Sequence, residues 1–187
     1  MRKPAELPSV LLGYHAVNAL DADRPALDVT AKLLAGGESA RLTLDLVRTH
    51  ELATSVAADL RWGIDPDLFM VYAQARPGKT AEELRARIDE GIAALAQGPI
   101  TDDELARAKR LLRMELVKGL KTASGKANQL GYFQVVFGDY SKLFDLEDGW
   151  NAVTADDVKR VVTRYLVVPK RTRVVLEPQG SDVRPRK

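Results

Sequence analysis

The sequence contains no cysteine, and this absence removes three kinds of chemistry at once. Disulfide bonds, thiolate metal sites and a cysteine nucleophile are all excluded. Charge of one sign is not in excess either, because 28 basic residues are matched by 26 acidic ones and the two signs are interspersed. The body of the chain therefore lacks the basic footprint that nucleic-acid-binding domains carry, and we expect no nucleic-acid partner.

Long apolar runs are also missing. No stretch approaches the roughly 18 consecutive apolar residues that a membrane-spanning helix requires. The short N-terminal run from Ser9 to Ala16 favours a buried strand over a signal peptide. What the chain has instead is the composition of an ordinary globular domain, with 45% apolar and 29% charged residues. Its 187 residues are enough to bury one sizeable core.

Histidine is scarce, with only His15 and His50 in the chain. His50-Glu51 resembles the beginning of the zinc motif His-Glu-x-x-His, but Thr54 stands where the second histidine would have to be. The inverted motif His-x-x-Glu-His fits neither histidine. The sequence therefore predicts no zinc site in this chain, and His50 is interpreted as a surface residue at the end of a helix.

Other catalytic patterns fail for lack of specific residues. The segment from Gly119 to Ala127 resembles a phosphate-binding loop, but five residues rather than four separate its glycines, and Ala127 replaces the hydroxyl that would hold magnesium. No Gly-x-Ser-x-Gly elbow is present. The acidic pair Asp102-Asp103 falls in the first turn of a predicted helix, where the helix dipole explains it. We expect no complete active site within the chain.

Hydrophobic periodicity predicts four strands separated by helices. In the second strand, Val56, Ala58, Leu60 and Trp62 alternate with more polar residues, which is typical of a half-buried strand. The third is more uniformly apolar, so we expect it to be the antiparallel neighbour of the second and central in the sheet. The predicted strands cover residues 9–16, 53–62, 68–77 and 172–178.

The helices are predicted from apolar spacing and from their end signals. Pro25 near the start and Gly36-Gly37 at the end delimit the first, and Thr101 with Glu104 forms a capping box that opens another. A helix over Glu38–Thr49 would place Leu42, Leu46 and Thr49 on one side. The aromatic-rich stretch from Tyr132 to Trp150 is interpreted as core and loop packing. Four more helices are expected. The first covers residues 80–96, and the second begins at 102 and runs past 118. The third ends at about 137, and the fourth begins after Thr154.

This order predicts an α+β fold in which helices cover one face of an antiparallel or mixed β-sheet. No Gly/Ser-type linker and no internal repeat interrupts the chain. We therefore expect a single domain over residues 1–187, with its core at about 9–178 and a flexible tail at 179–187.

Once these residues are laid out, the chain resembles the insulinase (pitrilysin-type) zinc metallopeptidase family, specifically the inactive, substrate-side C-terminal domain, as in mitochondrial processing peptidase. The segment GESARL supplies the Gly, Ser, Arg and Leu of that family's Gly-x-Ser-Ser-Arg-Leu pattern. ELATSV supplies the Leu, Ser and Val that follow it. GPITDDELARAKRLLRMEL resembles the central helix of that domain, and the stretch from Val153 to Pro178 resembles its last helix and closing strand.

The resemblance implies an α+β domain, one of a pair that clamps around a chamber holding an unfolded peptide. The zinc and its ligands are expected on a companion, the N-terminal domain of the same protein or a partner subunit, and no cofactor is expected in this chain. There a metal-bound water would attack the peptide bond. The resemblance and the absence of cysteine together favour a periplasmic over a cytoplasmic location, and the full protein is expected to belong to a larger bacterial peptidase.

The family's substrate-binding pair, an Arg and a Tyr seven residues apart, aligns with Val47 and Thr54. Valine cannot donate a hydrogen bond, and the threonine hydroxyl lies several ångströms short of a tyrosine's reach. Arg48 is one residue late, and a shift of one residue turns a side chain about 100° around its helix. Glu51 also replaces the family's usual glycine. The chain alone is therefore predicted to be inactive.

Two functions remain open at this point. In the first, the chain helps to form the chamber of a zinc peptidase whose other domain or subunit carries the chemistry. In the second, it is a degenerate relative that acts as a scaffold or assembly subunit. An unrelated α+β binding module is a third alternative.

Overall fold

The computed structural model describes residues 6–61 and 63–178, and its four strands form one fully antiparallel sheet. The order across the sheet is β2-β3-β1-β4. The first strand therefore pairs with both the third and the last, with Leu11 opposite Tyr72 on one side and Val174 on the other. The strands are β1 Ser9–His15, β2 Ala53–Leu60, β3 Leu68–Ala75 and β4 Arg171–Leu176.

Within the described residues, six α-helices accompany the sheet, together with a short π-helix and one 3₁₀ turn. The π-helix, Thr43–Thr49, leads into β2, and the 3₁₀ turn, Val168–Lys170, leads into β4. Capping boxes open three helices, where Thr80, Thr101 and Thr154 each accept a hydrogen bond from the backbone three residues ahead. The helices are α1 Arg24–Ala35, α2 Ala81–Gln97, α3 Asp102–Gly119, α4 Ala123–Phe137, α5 Lys142–Ala152 and α6 Ala155–Tyr165.

The core lies between the helices and one face of the sheet. Alternate residues of the central strands, such as Leu12, Tyr14 and Val71, are almost completely buried on that face. On the other face Leu11 is partly exposed and Tyr72 is exposed, although Ser9 and Gly13 are buried there. Val174 of β4 is 54% exposed and Tyr72 of β3 is 36% exposed. The sheet thus has a helix-covered face and an uncovered face.

One buried carboxylate ties the first helix to the last. Asp23 precedes α1 and accepts hydrogen bonds from Arg160, Arg164 and the hydroxyl of Tyr165, all on α6. Although burial opposes it, these donors hold the pKa of Asp23 below its usual range. Burial and the bond to Asp23 raise the pKa of Tyr165 to about 12. Segments some 140 residues apart are joined by this cluster.

The predicted fold is confirmed, both as α+β and in having its helices on one face. Of the two sheet types left open, the antiparallel one is found. The third strand is central, as predicted, and Val56, Ala58 and Leu60 of β2 are more buried than their neighbours Ser55, Ala57 and Asp59. The segment from Gly119 to Ala127, which resembles a phosphate-binding loop, forms the corner between α3 and α4. There the Thr122 hydroxyl accepts a hydrogen bond from the Gly125 amide and caps α4.

Two helix predictions were wrong. The predicted Glu38–Thr49 helix becomes regular only near Arg41 and continues as a π-helix, so that the His50 amide donates to the Asp45 carbonyl five residues back. The wider turn leaves Thr49 exposed and off the face of Leu42 and Leu46. Helix α5 was missed, although Leu143, Leu146 and Trp150 repeat at helical spacing, because the aromatic-rich stretch was interpreted as core and loop packing.

Some predictions fall on residues outside the described part of the chain. These are the inward position of Trp62 in the second strand and the tail at 179–187. Across residues 6–61 and 63–178, no helix combines the length and the apolar character that crossing a bilayer demands.

Candidate functional site

The segment that aligns with the family's substrate-binding pair is the corner between the π-helix and β2. Leu46 is completely buried and anchors the π-helix to the core. The chain then turns at Glu51, the one non-glycine residue in the described chain with a positive φ, at 49°. The amide of Leu52 donates back to the carbonyl of Leu46 at 2.8 Å, which closes the corner. Glycine adopts this conformation most easily, so the glycine that the resemblance predicts at this position would have a direct physical explanation.

Arg76, just past the end of β3, holds this corner together. Its Nη2 donates to the carbonyl of Val47 at 3.2 Å, and its Nε donates to the carbonyl of Ala53 at 3.3 Å. A third nitrogen lies 3.6 Å from the Glu51 carboxylate. The guanidinium thus bridges the π-helix, the turn and the beginning of β2. Sequence reasoning missed this residue, because only the antiparallel pairing of β2 with β3 brings it here.

Val47 and Thr54 lie on either side of the Arg76 contact. Val47 is partly buried and packs against the core, so its side chain contributes apolar contact only. Thr54 is exposed, and its hydroxyl lies 3.3 Å from both the backbone and side-chain oxygens of Gln74. It occupies a β-bulge, because Ala53 pairs with Ala75 while Ser55 pairs with Gln74. The corner therefore presents a valine and a short hydroxyl already engaged by its own sheet.

Arg48 does not take over the role of an arginine at position 47. It points to Glu38, with its Nη2 2.5 Å from the Glu38 carboxylate, and both side chains are more than half exposed. Ser55, seven residues further on, is exposed on β2. The alternative register that would pair Arg48 with Ser55 gains no support from these contacts.

The Arg and Leu of the GESARL segment have structural roles. Arg41 forms a two-pronged contact with Glu104, from Nε at 2.8 Å and from Nη2 at 3.0 Å, and Nη2 also donates to the Pro99 carbonyl at 2.6 Å. Glu104 is the capping-box residue of α3, so the same carboxylate also accepts from the Thr101 amide at 2.9 Å. The Arg41 guanidinium and this amide together lower the pKa of Glu104 to about 2. Leu42 is fully buried next to Arg41.

The histidines are not brought together into a metal site. Both are exposed, and His50 at the end of the π-helix lies 2.8 Å from Arg87 and 3.4 Å from Asp45. Within residues 6–61 and 63–178, no cluster of three or more His, Asp or Glu side chains is arranged to hold a metal ion.

The uncovered face of the sheet carries a row of apolar side chains beyond this corner. Tyr72, Leu11 and Val174 are cross-strand neighbours on β3, β1 and β4. Leu176 follows on β4 and is 43% exposed. The row runs across three strands and reaches the outer edge strand, so this face offers both apolar contact and a strand edge.

Comparison of the sequence with known proteins identifies the family of this chain. A family model described as the peptidase M16 inactive domain matches residues 1–112. The chain belongs to the peptidase M16 family. It is 31% identical over 164 residues to a Streptomyces coelicolor protein named an uncharacterized zinc protease, and 31% identical over 179 residues to a Mycobacterium tuberculosis protein named in the same way. These matches cover 88% and 96% of this chain, but only 36% and 40% of those relatives.

Solved structures place the chain in the same part of M16 proteins. An inactive peptidase domain from Bordetella parapertussis is 27% identical, with a TM-score of 0.83 over 98% of this chain and 99% of that one. A protease from Helicobacter pylori is 28% identical, with a TM-score of 0.85 over 95% of this chain and 43% of that one. The predicted resemblance to the insulinase-type family and to its inactive domain is therefore confirmed.

The chain spans well under half the length of these curated relatives. An inactive M16 domain of this kind implies a companion catalytic domain. The relatives named zinc proteases point to zinc chemistry in the family, while the described part of this chain holds no group of ligands for it.

Proposed function

We propose that this M16 domain forms one wall of a peptide-binding chamber and that a companion domain or subunit supplies the zinc and hydrolyses the peptide. The observation that supports this most directly is the row of Tyr72, Leu11 and Val174 on the uncovered face, which ends at β4, the outer strand of the sheet in the described residues. An unfolded peptide has exposed apolar side chains and unpaired backbone groups, and such a surface can contact both. The single domain over residues 9–178 is part of the same proposal.

The zinc and the general base would lie on the companion, which would polarise the scissile carbonyl and activate a water. This chain would hold the peptide and exclude solvent. Val47 offers no hydrogen-bond donor, and the Thr54 hydroxyl is already beside Gln74. We therefore place any stabilisation of the oxyanion outside this chain.

The test uses the complete protein together with its companion zinc domain, whether that domain lies in the same gene or a neighbouring one. Zinc content and cleavage of an unfolded fluorogenic peptide are measured for the assembly and for the 187-residue chain alone. We expect the assembly to bind zinc and cleave, and the isolated chain to do neither. Tight zinc binding by the isolated chain, abolished when His15 and His50 are replaced, would contradict the proposal.

A matched pair of valine variants tests the chamber wall. Val174→Ser changes an exposed valine on the uncovered face, whereas Val135→Ser changes one that is 77% exposed on α4. Removing an apolar contact worth about 1 kcal/mol should raise KM several-fold for Val174→Ser only. Equal KM values for the two variants would argue against peptide binding on this face.

A second candidate function, a non-catalytic scaffold, is favoured by one observation. The positions aligned with the substrate-binding pair hold Val47 and Thr54, neither of which is placed to clamp a peptide backbone. If the scaffold hypothesis is right, the assembly would form a stable complex but show no peptide cleavage, with or without added zinc.

A further inference from the structure

A cavity on the helical side of the domain is separate from the site described above. It has a volume of about 360 Å³ and lies between α1, α3, α4, α5 and the end of β2. Small-molecule sites in proteins commonly span about 300–1,000 Å³. The cavity is therefore large enough for a compact organic molecule, and none of its walls comes from the π-helix corner or from the apolar row on the uncovered face.

Aromatic and aliphatic side chains form much of its inner surface. Phe133 of α4 and Trp150 of α5 are at most 5% exposed, and Leu60 and Leu112 are similarly buried. Tyr132 contributes a third aromatic ring to the lining. An apolar ligand body would find close packing here, and ring faces also attract cations.

Among the charged side chains of the lining, acidic ones outnumber basic ones. Lys32 pairs with Glu115 at 2.8 Å, so these two charges offset one another. Asp59 lines the cavity as an exposed carboxylate and makes no ion pair with any described residue. With Asp28 added, three carboxylates and one ammonium face the cavity.

Asp28 forms the buried end of this acidic set. Its side chain is 8% exposed and accepts one bond at each oxygen, from Arg24 Nε at 2.8 Å and from the Trp150 indole at 3.2 Å. A carboxylate has about four acceptor positions, so this one has capacity for a further donor. Burial, reinforced by nearby Asp59 and only partly offset by Arg24, raises the pKa of Asp28. An added positive charge would stabilise its ionised form.

We propose that this cavity binds a small organic cation, a protonated amine carrying an aromatic or aliphatic body, with the body against Phe133 and Trp150 and the ammonium toward Asp59 and Asp28. Because Lys32 offsets Glu115 and Arg24 offsets Asp28, the carboxylate of Asp59 leaves the cavity with a net negative charge, which opposes an anion of the same shape. The aromatic rings distinguish the site from a simple ion-exchange surface, because a metal cation would leave them unused.

Three probes of nearly equal shape test the charge preference: 2-phenylethylamine, neutral 2-phenylethanol and anionic 3-phenylpropionate. Binding to the 187-residue chain is followed through the indole N–H signal of Trp150 in ¹H–¹⁵N spectra, which Trp150→Phe assigns. We expect the amine to shift this signal and to bind about tenfold more tightly than the alcohol. The carboxylate should not bind measurably.

Two variants and a control complete the test. Asp59→Asn should weaken amine binding about fivefold, and Leu116→Trp, which fills the cavity, should abolish it. Glu38→Gln makes the same charge change at a side chain that is 76% exposed and outside the cavity, and should have no effect. The melting temperature of each variant confirms that it is folded. Equal affinity for amine and alcohol, or amine binding that survives Leu116→Trp, would overturn the proposal.

Discussion

Replacing Glu104 with glutamine should cost this domain more stability than any other single loss of a capping carboxylate. The Glu104 carboxylate takes part in two interactions. It accepts a hydrogen bond from the Thr101 amide in the capping box of α3, and it accepts two hydrogen bonds from the Arg41 guanidinium. Arg41 in turn holds the Pro99 carbonyl, so the contact fixes the α2–α3 connection against the segment leading into the π-helix. Glutamine keeps the size of the side chain but removes its charge and half of its acceptor capacity.

The magnitude follows from the pKa of Glu104. Arg41 and the Thr101 amide lower it from 4.5 to about 2. Each tenfold change in proton affinity corresponds to about 1.4 kcal/mol, so the ionised carboxylate stabilises the fold by at most about 3.5 kcal/mol. Because both side chains of the pair are about one-fifth exposed, solvent screening reduces the expected loss to about 1–2 kcal/mol at pH 7.

The sign of the pH dependence is fixed by the direction of the shift. A carboxyl with a lowered pKa in the folded state stabilises the fold at pH values above its unfolded pKa. This contribution is lost as the pH falls from about 4.5 toward 2. The difference between the wild type and Glu104→Gln should therefore be constant near neutrality and shrink below about pH 4.5.

Urea unfolding at several pH values between 7 and 3 measures this difference. The matched control is Glu83→Gln, because Glu83 occupies the same capping-box position at α2 and makes no ion pair with a described residue. It should lose only about 0.5–1 kcal/mol. Equal losses for the two variants, or a Glu104→Gln difference that stays constant down to pH 3, would refute the role assigned to Arg41.

Two further predictions concern backbone and packing around the GESARL segment. Glu51 has a positive φ, which glycine adopts easily and a β-branched residue tolerates poorly. Urea unfolding should therefore show Glu51→Gly to be at least about 1 kcal/mol more stable than Glu51→Val. Equal stabilities would contradict backbone strain at this position. A Cβ added at Gly91 would come within 2.5 Å of Leu42 Cδ2, so Gly91→Ala should destabilise by about 1–2 kcal/mol through overpacking. In a Leu42→Ala background the same change should become neutral or stabilising, and a double-mutant cycle that shows additivity would exclude the contact.

The correct and incorrect sequence predictions have identifiable physical causes. Alternation in β2 and the capping box of Thr101 and Glu104 depend on residues close in sequence, so the pattern predicts them directly. The π-helix was not predicted because one extra residue per turn leaves almost no trace in a window that already has helical spacing. Helix α5 was accessible in principle, since Leu143, Leu146 and Trp150 carry the pattern, and it was missed because aromatic content was given too much weight.

The candidate site divides in the same way. Alignment to the family pattern identifies Val47 and Thr54 and predicts that neither can act as the missing pair. It does not indicate Arg76, whose contacts with Val47 and Ala53 depend on the register of β2 against β3. The cavity is likewise assembled from four helices and a strand end, and its members, Asp28 and Asp59 among them, have no spacing in common.

By itself, then, the sequence determined the fold class, the family and the lack of a recognisable zinc motif, because each depends on residue identity and local periodicity. Only the tertiary structure decided what the GESARL segment does. It shows that Arg41 joins Glu104 across 63 residues of chain and that Glu51 has a positive φ, a conformation that glycine adopts most easily. It also separates the uncovered face of the sheet from the acidic cavity on the helical side. These properties come from long-range pairing and burial, which a linear pattern does not specify.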